Sequence, residues 1–187
     1  MNSQEYRTRL RDCPDEDLKD RCGITDNWSI LIKGDIEQIV TGLKTRDDLE
    51  LYGEEKKTNP PEEGSTYAHY DFKYLPGTVI FRVRTDNKPQ LPLDVPEHQK
   101  DELIERTDIY NMSFIIHPYQ HHDWNPMLNE LPENNLPDVS WKKAMAIVIE
   151  DLLGFLEERE IPYCLLKVRD KDVPADISEL VFWPEEN

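Results

Sequence analysis

The stretch TYAHYDFKYLPGTVIFRVR, residues 66–84, decides how this chain folds. Its first half alternates Ala68, Tyr70, Phe72 and Tyr74 against His69, Asp71 and Lys73; its second half alternates Val79, Phe81 and Val83 against Ile80, Arg82 and Arg84. A period of two with aromatic and β-branched residues on one side is the pattern of half-buried strands. Leu75-Pro76-Gly77 between the halves supplies turn chemistry, so a β-hairpin is expected with one face in a core and one face polar.

Other strands join it on the same grounds. Trp28-Ser-Ile-Leu-Ile-Lys33 is a compact β-rich run, Leu49 to Tyr52 a shorter one, and Ile109 to Ile116 an apolar run whose composition predicts a central place in the sheet. Tyr163 to Val168 and Leu180 to Trp183 read as the last two strands. Leu49–Tyr52 is expected to complete a β-α-β unit with the first strand, through a helix that starts after Asp35 and carries Ile36, Ile39, Val40 and Leu43 at helical spacing.

Helical periodicity is strongest over residues 139–159, where Trp141, Ala144, Met145, Val148, Ile149, Leu152, Leu153, Phe155 and Leu156 form a broad apolar stripe after Asp138 as the expected cap. Two short helices are predicted between Ser3 and Arg21, on either side of Cys13-Pro14. A polar helix follows Pro96, with Leu103 and Ile104 as its anchors. The fold class is therefore α+β: a single mixed sheet of five to seven strands with a long helix on one face, built as one domain over residues 1–187. Residues 53–65, GEEKKTNPPEEGS, and residues 117–137, HPYQHHDWNPMLNELPENNLP, are expected to be flexible loops.

Charge narrows the function. Asp and Glu number 39 against 22 Lys and Arg, a net charge of −17, which repels phosphate backbones and anionic membranes and favours basic partners. High net charge also serves solubility. Three cysteines without a Cys-x-x-Cys spacing argue against a disulfide scaffold or a zinc finger. With a charged N-terminus and no apolar run of membrane length, a reducing, cytoplasmic setting is expected. Glycine-rich phosphate loops, the Gly-x-Ser-x-Gly elbow and His-Glu-x-x-His are all missing, which removes the signatures of nucleotide, acyl-hydrolase and zinc-protease sites.

Two functional readings remain. The first is a non-catalytic acidic module of the inhibitor, immunity or nucleic-acid-mimic type, needing no cofactor and binding a basic protein partner through carboxylates and aromatic anchors. Its expected contacts are Tyr119, Trp124, Met127, Glu130 and Glu133 in the long loop, with Trp183 as a further aromatic; packing against the long helix would account for the same tryptophans.

The alternative is a metal-dependent hydrolase or metal sensor. It would place zinc or another divalent transition metal on His117, His121, His122 and Asp123, since imidazoles four residues apart share a helical face. Glu130 or His69 would complete that set, whereas hydrated loop histidines are the ordinary explanation. A nuclease-like arrangement of Glu62 or Glu63 with Asp71 and Lys73 is formally present, but a cross-strand or same-face ion pair explains the last two as well. Cys164, in an apolar strand, is expected to be an inert buried thiol.

Overall fold

In a computed structural model, residues 2–25, 28–58, 66–74, 79–85, 96–118, 140–166 and 180–184 are described. The strands are β1 (Trp28–Ile32), β2 (Leu49–Thr58), β3 (Thr66–Tyr74), β4 (Val79–Thr85), β5 (Met112–Pro118), β6 (Tyr163–Leu166) and β7 (Leu180–Trp183). The helices are α1 (Ser3–Asp12), α2 (Leu18–Cys22), α3 (Ile36–Lys44), α4 (Lys100–Thr107) and α5 (Trp141–Glu158).

The seven strands form one sheet in the order β2-β3-β4-β5-β1-β6-β7, with every neighbouring pair antiparallel. The expected α+β class and the long helix on one face hold, with the sheet antiparallel rather than mixed, and β5 is the central strand as its apolar composition implied. The β-α-β unit does not form, because β1 pairs with β5 and β6 while β2 lies at the sheet edge beside β3.

Alternation sorts the side chains. Trp28, Ile30 and Ile32 of β1, Phe72 of β3, Phe81 and Val83 of β4, and Met112, Phe114 and Ile116 of β5 fill the main core together with α1, α2, α3 and α5. Phe81 is fully buried and lies between Phe72, stacked at 5.1 Å, and Phe114, tilted at 5.9 Å. The helix α5 is capped by Ser140, whose hydroxyl accepts from the Lys143 amide at 3.2 Å; Asp138, the expected cap, lies outside the described residues. In α3 the expected cap is in place, with the Asp35 carboxylate accepting from the Gln38 amide at 3.0 Å.

The first helix is tied to the long one by charge. Arg7 reaches Glu157 at 2.6 Å and Glu150 at 2.8 Å, and Arg11 meets the same Glu150 oxygen at 2.8 Å. Gly154 makes room for this, since a Cβ there would stand 2.8 Å from Arg7 Nη2. Glu157 also accepts from the hydroxyls of Ser3 and Tyr163.

The strand β2 runs to Thr58, well beyond Tyr52, so residues 53–58 are strand and not loop. A charged GEEKK segment is compatible with this because an edge strand has one open flank, where charge discourages pairing with other chains. Register shifts between Leu51 and Gly53, leaving Tyr52 as the extra residue of a bulge. His117 likewise belongs to a strand, as the penultimate residue of β5.

Candidate functional site

The second face of the sheet is divided along its width. One cross-strand row reads Glu55, His69, Arg84, Ser113, Leu31, Cys164 and Phe182 from β2 to β7. It is charged and polar over β2 to β5 and apolar from β1 onward. The apolar part is covered by α4: Leu103 and Tyr110 join Leu31, Cys164, Leu180 and Phe182 in a separate small core. Arg106 of α4 adds its guanidinium over the Phe182 ring at 4.4 Å.

The polar part centres on Asp71, which is only 6% exposed. Its two oxygens accept from Arg82 Nε at 2.6 Å and Nη2 at 2.9 Å, a bidentate pair across β3 and β4. Gly53, after the bulge, lies beside this carboxylate, where a Cβ would make ordinary contact with Asp71 Oδ2 at 3.4 Å. Burial, with the Asp71 carboxylate adding to it, holds the Tyr52 hydroxyl well above its ordinary pKa, so it stays protonated. Beside this pair Lys73 meets Glu50 at 2.8 Å, and His69 stands 3.7 Å from both Glu55 and Asp71.

The described residues of this face do not assemble a nuclease-like site. A carboxylate clamped by arginine through both oxygens is poorly placed to bind Mg²⁺, and Asp71 and Lys73 are each satisfied by a cross-strand partner. Glu62 and Glu63 lie outside the described residues. Among the described residues, no cluster of three or more His, Cys, Asp or Glu is arranged to hold a metal. His69 does not complete a site with His117: they lie on strands two places apart and in rows four residues apart, which strand geometry converts to about 16 Å between Cα atoms.

His121, His122, Asp123, Tyr119, Trp124, Met127, Glu130 and Glu133 all fall outside the described residues. Trp183 is a packing residue, stacked with Tyr163 and set against the main core. Cys164 is buried under α4 in apolar surroundings, as expected of an inert thiol, and Cys13 and Cys22 are also buried and unbridged.

A surface that the sequence pattern did not single out lies on α4 and the turn that follows it. Leu103 and Thr107 turn inward, but Ile104 is 58% exposed and Ile109 is 56% exposed, so Ile104 is not the anchor its hydrophobicity suggested. They are the exposed large hydrophobics of the described residues. Around them Glu97, Asp101, Glu102, Glu105 and Asp108 are all exposed. Glu97 pairs with Lys100, and Glu102 approaches Arg106 at 3.7 Å, whereas Asp101, Glu105 and Asp108 have no ion-pair partner among the described residues.

The spacing brings the two kinds of side chain together. Asp101 lies three residues before Ile104 and Asp108, the C-cap in helical conformation, four after it, separations that make surface neighbours on a helix; Ile109 follows in the turn directly after Asp108. Periodicity alone located this helix, but not which of its two apolar residues faced outward. No helix among the described residues is long and apolar enough to cross a membrane. No protein-family model, curated protein or solved structure matches the chain.

Proposed function

We propose that this chain is a non-catalytic acidic binding module that engages a basic protein partner, in the manner of an inhibitor, an immunity protein or a nucleic-acid mimic. The observation that carries this reading is the outer face of α4 and the turn after it, where Ile104 and Ile109 stand exposed beside Asp101, Glu105 and Asp108, which have no ion-pair partner within the described residues. Interfaces join desolvated apolar contact to electrostatic complementarity, and this face offers both kinds of group. The net charge of −17 supplies the long-range part by steering cationic surfaces inward and repelling nucleic acid and anionic membranes. Three buried, unbridged cysteines support a reducing, cytoplasmic setting.

The test begins with capture of basic proteins on the immobilised chain at low salt, followed by stopped-flow association with each purified candidate. Electrostatic steering requires the association rate to fall by about tenfold or more between roughly 0.02 M and 0.3 M salt. A rate that does not change with ionic strength overturns the electrostatic reading. An affinity unchanged by Asp101→Asn, Glu105→Gln and Asp108→Asn together removes α4 from the interface.

A further inference from the structure

We infer that the outer face of α4 is a seat for lysine or arginine side chains of the basic partner, with Ile104 and Ile109 receiving their aliphatic stems and Asp101, Glu105 and Asp108 receiving their charged heads. This rests on the binding function proposed above and specifies the chemistry by which α4 serves it. Three features of the helix converge on it.

First, exposed Ile104 has Asp101 and Asp108 as surface neighbours at i, i+3 and i, i+4 separations, and Ile109 stands exposed in the turn next to Asp108, an arrangement an amphipathic cation can use. A long cationic side chain buries its methylenes on apolar surface while its head stays at the polar margin, so one Lys or Arg can satisfy an isoleucine and the carboxylate a turn away. Second, two of the carboxylates sit where the helix itself disfavours them. Glu105 is in the last turn and Asp108 is the C-cap, next to carbonyls that already carry partial negative charge. An incoming cation is attracted by the carboxylates and the carbonyl ends together. Third, Arg106, the one basic side chain of that turn, leans over the Phe182 ring and towards Glu102. A second copy of this chain would bring like charge to the same face, so the occupant is a basic surface and not a homodimer partner.

The experiment uses the whole chain, labelled with ¹⁵N, and two cationic probes that differ in stem length alone. One is an oligolysine peptide and the other an oligopeptide of 2,4-diaminobutyrate, which carries the same charge on side chains two methylenes shorter. Both are titrated into the wild type and into an Ile104→Ser/Ile109→Ser variant, whose exposed sites leave the fold intact. The expected result is amide shifts confined to α4 and its flanks. The oligolysine should bind more tightly by roughly fourfold for each methylene buried, and that preference should disappear in the double variant.

Equal affinity of the two probes for the wild type, or a lysine preference that persists in the variant, overturns the stem-seating inference while leaving the acidic-module proposal in place. If neither probe shifts α4 amides at low salt, the stem-seating inference fails and α4 is removed from the proposed interface.

Discussion

Replacing Asp71 by Asn is the sharpest test of how the polar half of the sheet is held. The carboxylate is 6% exposed and receives Arg82 through two hydrogen bonds of 2.6 and 2.9 Å, so the substitution leaves a guanidinium without its counter-charge and turns an acceptor-only group into one that also donates. Breaking a buried pair costs about 3–5 kcal/mol. The Arg82 side chain is 25% exposed, so water recovers part of that loss and the expected cost falls to about 2–3 kcal/mol. In a chain of this size each kcal/mol moves Tm by about 2–4 °C, which predicts a fall of roughly 4–12 °C.

The assay is urea unfolding followed by circular dichroism, with the slope compared between variants to check that the unfolded state is unchanged. Arg82→Gln should cost more than Asp71→Asn, because it strands the more deeply buried partner. The double variant should cost less than the two singles combined, since it leaves neither charge alone. A loss below about 0.5 kcal/mol for Asp71→Asn, or single costs that simply add, would refute the view that this pair is a coupled unit of the sheet.

Two further outcomes follow from the core and the helix junction. Phe81→Ala removes a fully buried ring flanked by Phe72 and Phe114, and is expected to cost about 3–5 kcal/mol; a thermal midpoint within about 3 °C of the wild type would contradict this central position. Burial pushes the Glu150 carboxyl up, but hydrogen bonds from Arg11 and Arg7 outweigh it and place the folded pKa below the ordinary 4.5. A lowered carboxyl pKa gives stability that is complete above the unfolded value and lost as pH falls through the folded one. The stability gap between wild type and Glu150→Gln should therefore be flat near neutrality and close on acidification below about pH 4.5, as read from urea midpoints. A gap that widens in acid has the wrong sign.

The parts of the fold written in local periodicity were legible before the structure. Alternation placed β3 and β4 together, the apolar run marked β5 as central, and the stripe from Trp141 to Leu156 marked α5. What escaped depends on groups distant in sequence. Residues 53–58 read as loop by their charge, yet a sheet edge accepts charge. The apparent unit from β1 to β2 failed because β1 finds its partners in strands made much later.

The candidate sites were less legible. Asp71 and Lys73 make the ordinary ion pairs their alternation allows, but their cross-strand partners Arg82 and Glu50 are fixed by register, which no single strand encodes. On α4, Leu103 and Ile104 are adjacent and similar in hydropathy. Only the small core beneath the helix decides that Leu103 goes in and Ile104 stays out.

The place of β1 has a consequence for how the chain is made. Its ladders join Trp28 to Ile116 and Leu31 to Cys164, so during synthesis the strand gains its first hydrogen-bonded neighbour after some eighty further residues and its second only after nearly fifty more. The meander of β2, β3 and β4 can assemble during that wait, because each of its partners is next in line. Synthesis thus proceeds with WSILI, one of the chain's most apolar segments, held in reserve, and the sheet cannot close around it until β5 and β6 are made.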